Sequence, residues 1–199
     1  SNGSLITEKW IQNNAVYIDW LGISIDSLNP ETNLKIGRVL KNNVGLSIDY
    51  LSICKWIKNA GIQLKINSVV NKYNYNEIII DFLNQALPER WKVLQVLPIN
   101  EKNETDFTIS KDQFDLFLKN HKNLHPDIHI FPENNEQMRG SYLMIDPYGR
   151  FYDNTGNDYR YSDPIQNVGF EKAYQQIEYH HEVFLARGGE AAVKLKKRF

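Results

Sequence analysis

Two short polar pairs stand inside otherwise apolar runs of this sequence: Lys65-x-Asn67 in IQLKINSVV (62–70) and Arg90-x-Lys92 in RWKVLQVLPI (90–99). Residues two apart on a strand share a face, so each pair points one way. Cations buried in a covered parallel sheet without partners would each cost several kcal/mol, which an anionic ligand such as a polyphosphate would offset. Solvated heads on snorkelling stems, or pairing with an acid such as Glu89, account for the same pattern. The run before them closes in Ser24-Ile25-Asp26-Ser27. Small polar groups just past a strand's C-terminal end often contact ligand in α/β folds. The same residues also suit a turn and a helix cap.

Other chemistries find little support. Cys54 is the single cysteine, which excludes an intrachain disulfide, a four-thiolate zinc site and a three-cysteine iron-sulfur site built from this chain alone. It sits in a helical pattern and reads as core. His121, His125, His129, His180 and His181 do not form a metal-ligand spacing, since the adjacent pair points to different faces of any helix. HExxH, GxxxxGK and GxSxG are all absent, so zinc proteolysis, Walker-type nucleotide binding and α/β-hydrolase chemistry lose their usual signals. With 23 basic and 24 acidic residues there is no electrostatic reason to expect non-specific nucleic-acid binding. No run approaches a membrane span, and SNGSLITEKW is not a signal peptide; a reducing cytoplasmic setting is expected.

The elements that must carry the polar pairs follow a regular rhythm. A short helix is expected over 5–14, a strand over 16–26, and a helical pattern over 29–60, where Asn29-Pro30-Glu31 offers an N-cap with Pro at the first helical position and Gly61 the stop. Strand 62–70, a helix near 75–86 and strand 90–99 complete the series. Three strands alternating with helices argue for an α/β fold with a parallel sheet; pattern alone leaves an open sheet and a barrel fragment equally open. Beyond residue 100 come a polar loop, a helix in KDQFDLFLKNH, a hairpin over 141–154 turning at Asp-Pro-Tyr-Gly, and a helix near 170–186. Tyr142 in that hairpin reads as strand packing, and Gly188-Gly189 after Arg187 as a turn.

Taken together, SNGSLI, the strand end Ile23 to Ser27, Ile36-Gly37-Arg38, KINSVVNKYN, PERWKVLQ, Gly140-Ser141-Tyr142 and FLARGG resemble, in order and approximate spacing over nearly all of the chain, the viperin-like family of radical S-adenosylmethionine nucleotide dehydratases. The resemblance implies a partial (βα)6 barrel, of which residues 1–100 would be the last three βα units. Residues 101–199 would be an α+β extension in the same structural domain. It also implies S-adenosylmethionine and a 4Fe-4S cluster as cofactors, an electron donor for the cluster, and a nucleoside triphosphate substrate (CTP, UTP or GTP). In that family a 5′-deoxyadenosyl radical takes the 4′ hydrogen and water is lost, giving a 3′-deoxy-3′,4′-didehydro nucleotide in antiviral defence.

Carried over by position, Ser1, Asn2, Ser24 and Arg38 resemble the lining around S-adenosylmethionine. Lys65, Asn67, Arg90 and Lys92, with Arg187, Gly188 and Gly189, resemble the triphosphate pocket. Tyr142 resembles the residue that returns a hydrogen atom. The cluster motif CxxxCxxC is absent from the chain, so an N-terminal segment bearing it is expected upstream of Ser1, and this stretch alone is expected to be inactive. A radical S-adenosylmethionine enzyme with another substrate, and a non-catalytic nucleotide-binding relative, are the competing readings.

Overall fold

A computed structural model describes residues 1–39, 48–99, 106–156 and 158–187. The chain divides into two compact units: the described residues within 1–95 and 109–132, and those within 96–108 and 133–187.

The first unit opens with α1 (Glu8–Asn14), capped by the Thr7 side chain on the Trp10 amide, and a short 3-10 turn leads to β1 (Trp20–Ser24). Asn29 then accepts from the Glu31 and Thr32 amides with Pro30 at the first position, as its sequence suggested, and starts α2 (Pro30–Lys35). The helical pattern expected over 29–60 is not one helix. Gly37 adopts φ +72°, its amide reaching back to Leu34, and this left-handed residue ends α2. Residues 40–47, including Leu46 of the expected helix, lie outside the described residues. α3 (Tyr50–Asn59) begins where Asp49 accepts from the Ser52 amide, and it buries Ile53, Cys54 and Ile57.

β2 (Gln63–Val70), α4 (Ile80–Ala86), β3 (Arg90–Gln95), α5 (Lys111–Asn120) and β4 (His129–Glu133) follow, the last residue of β4 already belonging to the second unit. The sheet order is β1-β2-β3-β4, with β1, β2 and β3 parallel. The α/β reading with a parallel sheet therefore holds, and β4 is a strand the hydrophobic pattern did not show.

Burial alternates along β2 and β3, so the sheet is not equally covered on both faces. One face is closed: Ile23, Leu64, Ile66, Trp91 and Val93 are all at 0% exposure. Here the Trp91 indole N–H donates to Ser68 Oγ (3.0 Å), whose hydroxyl donates to the Ile25 carbonyl (2.6 Å). His121 closes the cluster, its ring 4.4 Å from Phe117 and 5.1 Å from Trp91. Its Nε2 accepts from the Ile79 amide (3.1 Å), so the proton sits on Nδ1 and is donated to the Phe117 carbonyl (2.7 Å).

Burial holds the His121 pKa below 6.5, the Phe117 bond opposing in part. Above pH 6.5 the ring is neutral folded or unfolded. Below it the unfolded chain takes up a proton that the native ring refuses, so stability falls with pH until the depressed native value is reached, at no more than about 1.4 kcal/mol per pH unit. His121→Phe should flatten this part of the slope below pH 6.5 while lowering stability near neutrality by about 1–3 kcal/mol, because the Ile79 amide loses its acceptor. Urea unfolding at several pH values checks this, and parallel slopes for the two proteins would refute it.

The second unit holds α6 (Asn135–Met138), then β5 (Met144–Ile145), β6 (Arg150–Asp153) and β7 (Arg160–Pro164) in one antiparallel sheet, followed by α7 (Ile165–Val168), α8 (Phe170–Tyr174) and α9 (His181–Ala186). The hairpin turns where expected: the Gly149 amide donates to the Asp146 carbonyl (3.0 Å), and Asp146 Oδ2 receives the Arg150 guanidinium at 2.9 and 2.7 Å. Phe151, Ala173 and Ile177 form its core with Ile165, Val168 and Tyr174. The expected single helix near 170–186 is two helices, α8 and α9. Among the described residues no helix is long and apolar enough to cross a membrane.

Candidate functional site

The open face of the parallel sheet gathers the predicted pairs into two transverse rows. Register aligns Gly22 with Lys65 and Lys65 with Arg90, then Ser24 with Asn67 and Asn67 with Lys92. Side chains in register on parallel strands point the same way, so Ser24, Lys65, Asn67, Arg90 and Lys92 share one face. Gly22 leaves the first row without a side chain on β1, and a Cβ there would stand 3.6 Å from Asn67 Nδ2.

Glu89, the acid next to Arg90 in sequence, is engaged elsewhere. It accepts from the Leu64 amide at 2.6 Å and lies 3.6 Å from Lys58 Nζ. Arg90 lays its guanidinium 4.2 Å from the Phe131 ring centroid. Its Nε, Asn67 Oδ1 and Trp20 Nε1 are buried without hydrogen-bond partners among the described residues, and all three belong to this face. Each orphaned polar atom costs about 1–3 kcal/mol unless something outside the described residues satisfies it. Three on one face describe a surface shaped for a polar ligand.

Past the end of β1 the polar groups serve two purposes. Ser1 runs along its outer edge, its amino group donating to the Gly22 carbonyl (2.9 Å) and its carbonyl accepting from the Ser24 amide (2.8 Å). This is the spacing of a parallel bridge. Asn2 turns its Oδ1 to the Ser4 amide and hydroxyl. Asp26 holds the Arg38 Nε at 2.5 Å and the Val69 amide at 2.9 Å. Ser27 proves to be a turn residue, accepting from the Asn29 amide and donating to Glu77. Sequence reasoning missed Glu77, which receives the Ser27 and Thr32 hydroxyls at 2.6 Å each, and Asn74, fully buried and donating to the Asp26 and Val69 carbonyls. The signal was an Asn pair, Asn71 and Asn74, directly after a strand.

In the second unit Tyr142 sits in a charged cluster. Its hydroxyl donates to Glu133 Oε2 (2.5 Å), and Arg187 donates through Nη1 to Glu133 Oε1 (2.7 Å) and through Nη2 to the Ser141 carbonyl (2.8 Å). The guanidinium lies 4.0 Å from the centre of the Tyr142 ring. Burial, then the Glu133 carboxylate, pushes the phenol's pKa well above its usual value. Glu133 carries no sequence signal. Gly188 and Gly189 lie outside the described residues.

Cys54 is fully buried, and burial raises its thiol to about 12, so it is a core side chain and no metal ligand. Among the described residues no group of three or more His, Cys, Asp or Glu could hold a metal ion.

No family model matches the chain. It is similar to curated proteins named S-adenosylmethionine-dependent nucleotide dehydratase. That of Lacinutrix mariniflava is 42% identical over 193 residues, covering 95% of this chain and 40% of the relative. That of Flammeovirga pacifica is 38% identical over 192 residues, covering 95% and 65%. The one named RSAD2 from Oncorhynchus mykiss is 37% identical over 198 residues, covering 96% and 56%. The chain thus spans 40%, 65% and 56% of these relatives' own lengths. Among solved structures, native anSMEcpe with bound AdoMet and Kp18Cys peptide superposes with TM-score 0.62 at 16% identity, covering 88% of this chain and 56% of that one. Streptococcus suis SuiB bound to S-adenosylmethionine gives 0.52 at 15%, covering 76% and 40%. These likenesses concern the fold.

Proposed function

We propose, from the premise that the chain is a homologue of the S-adenosylmethionine-dependent nucleotide dehydratases over some 95% of its length, that it is the substrate-side part of such an enzyme. The whole protein would dehydrate a nucleoside triphosphate to its 3′-deoxy-3′,4′-didehydro form in antiviral defence, working in the cytoplasm with a one-electron donor. Residues 1–100 would belong to a partial (βα)6 barrel and residues 101–199 to its extension. The observation that carries this is the open sheet face, where Lys65 stands in register with Arg90 and Asn67 with Lys92, beside buried polar atoms that lack hydrogen-bond partners among the described residues.

On this reading Lys65, Arg90 and Lys92 neutralise the triphosphate, and Asn67 offers a hydrogen bond beside it. A guanidinium and two ammonium groups suit phosphate oxygens, and a site screened from water strengthens each contact. S-adenosylmethionine fits the end of β1: Ser24 shares the row of Asn67, Ser1 and Asn2 flank the strand edge, and Arg38, already oriented by Asp26, suits a carboxylate. Bound there, it would supply the radical chemistry that removes the 4′ hydrogen. A 4Fe-4S cluster does not fit these residues, since the only thiol is buried and protonated. Tyr142 supplies the reducing equivalent that the nucleotide needs after abstraction. For the stretch by itself, the lone buried thiol favours nucleotide binding without chemistry.

The test is anaerobic reconstitution of the full-length protein with iron and sulfide, followed by assay of CTP, UTP and GTP with S-adenosylmethionine. A cognate nucleotide should stimulate 5′-deoxyadenosine formation and appear as a product lighter by one water; no stimulation by any of the three would sink the assignment. Lys65→Met and Arg90→Met should each weaken triphosphate binding about 10- to 100-fold by calorimetry, the loss of one charge-assisted contact. Affinities within twofold of the parent would remove the sheet face from the site.

A further inference from the structure

The Tyr142 hydrogen points at a carboxylate. At 2.5 Å from Glu133 Oε2, the phenol O–H is committed to a short charge-assisted bond, and Glu133 is 2% exposed. Arg187 faces the other carboxylate oxygen at 2.7 Å, is itself 6% exposed, and lies across the Tyr142 ring. The guanidinium fixes the carboxylate, and the carboxylate fixes the hydroxyl. A hydrogen held this way is poorly placed to leave as a whole atom towards another molecule, but well placed to cross to Glu133 as a proton.

The stoichiometry of the dehydration gives that proton transfer a use. Removing a hydrogen atom from C4′ and hydroxide from C3′ leaves the nucleotide one electron short of the neutral didehydro product. We infer that Glu133 is the proton acceptor of Tyr142, so that the phenol supplies an electron to the oxidised nucleotide while its proton moves to the carboxylate. In this step the Tyr142 O–H bond breaks and a Glu133 O–H bond forms. The nucleotide gains one electron and closes its double bond, and Tyr142 becomes a neutral phenoxyl radical. A one-electron reductant, the donor class already required by the reaction, restores the tyrosine as Glu133 returns the proton. The hydroxide leaves as water with a proton from solvent. Glu133 is thus a positioning residue, acting through Tyr142. The inference rests on the assignment of Tyr142 to the dehydration.

Two readouts test it on the full-length protein. In the reconstituted enzyme, the yield of dehydrated nucleotide per 5′-deoxyadenosine is compared among the parent, Tyr142→Phe and Glu133→Gln. The glutamine keeps a carbonyl acceptor but cannot take the proton, so this ratio should fall at least about tenfold, as is also expected for Tyr142→Phe. Without reconstitution, 3-fluorotyrosine placed at position 142 is titrated by fluorine NMR. Its ionisation should shift to lower pH in Glu133→Gln, because the facing anion is gone. A normal ratio in Glu133→Gln beside an uncoupled Tyr142→Phe would overturn the role of Glu133 and leave that of Tyr142 standing. A normal ratio in Tyr142→Phe would overturn both, and an unchanged fluorine titration would overturn the Tyr142–Glu133 contact itself. Should Glu133→Gln fail to fold, Glu133→Gln with Arg187→Met removes the uncompensated charge and is read by the same two measurements.

Discussion

Arg187→Ala is expected to lower the stability of the second unit by about 3–5 kcal/mol, the range for removing one member of a buried ion pair. The pair is well shielded, with side chains 6% and 2% exposed and the charges 2.7 Å apart. Alanine would take the guanidinium away from Glu133 Oε1 while Oε2 still receives the Tyr142 hydroxyl. It would also strip the Ser141 carbonyl of its donor and remove a cation stacked on an aromatic ring, worth about 0.5–2 kcal/mol. Arg187 Nε has no hydrogen-bond partner among the described residues, which limits the gain from the native arrangement, but one lost hydrogen bond is smaller than a broken buried ion pair. A double variant, Glu133→Gln with Arg187→Met, should be milder than Arg187→Ala, since uncharged groups of similar volume carry no desolvation penalty. Urea unfolding of the three proteins decides; a loss below about 1 kcal/mol for Arg187→Ala would mean that the pair is solvated. The same variants separate two uses of this arginine. Resemblance assigns it to phosphate, whereas both terminal nitrogens are bonded within the protein. A structural role lowers stability, and a phosphate role lowers triphosphate affinity in protein that remains folded.

The two strand pairs were legible because a period of two on a strand is a strict geometric rule: Lys65 and Asn67 had to share a face, as did Arg90 and Lys92. That the two pairs stand in register, with Ser24 completing a row, depends on strand alignment and could not be read from spacing. β4 was missed for a physical reason. Pro132 cannot donate to a ladder and argues against a strand, yet it is tolerated here because β4 lies at the edge of the sheet. β7 hides in the same way, carrying Asp163 and ending in Pro164. Gly37 was visible in the sequence, but helical spacing on either side outweighed it, whereas the break between Tyr174 and His181 falls in Gln-Gln-Ile-Glu-Tyr-His, which carries no Gly or Pro to mark it. Glu133 was out of reach, since a carboxylate becomes a partner for Tyr142 and Arg187 only when residues 9 and 54 positions away are folded against it. The triplet Gly140-Ser141-Tyr142 was legible only as a resemblance; its physics lies in the glycine.

Gly140→Ala is expected to destabilise the second unit by about 2–4 kcal/mol, combining left-handed backbone strain with a steric clash. Gly140 has φ +67°, and a Cβ built on it would stand 2.8 Å from both His180 Nδ1 and Thr155 Cγ2. Neither neighbour can retreat easily. The His180 amide donates to the Gly140 carbonyl at 2.7 Å, and Thr155 is tied through its amide and hydroxyl to the buried Asp153. The Gly140 amide is itself held by Asn154 Oδ1 at 3.0 Å, so the backbone cannot relax without losing that bond. Opposing this, alanine restricts the unfolded chain and returns about 0.4–1 kcal/mol, too little to change the sign. Gly149→Ala is the internal control. It has nearly the same φ, +70°, but open space around its missing Cβ, so it should show the backbone strain alone, about 1–2 kcal/mol. The difference between the two variants in denaturant unfolding therefore measures the clash. Equal losses at Gly140 and Gly149 would show that His180 and Thr155 yield, and that the loop leading into Ser141 and Tyr142 is softer than its hydrogen bonds indicate.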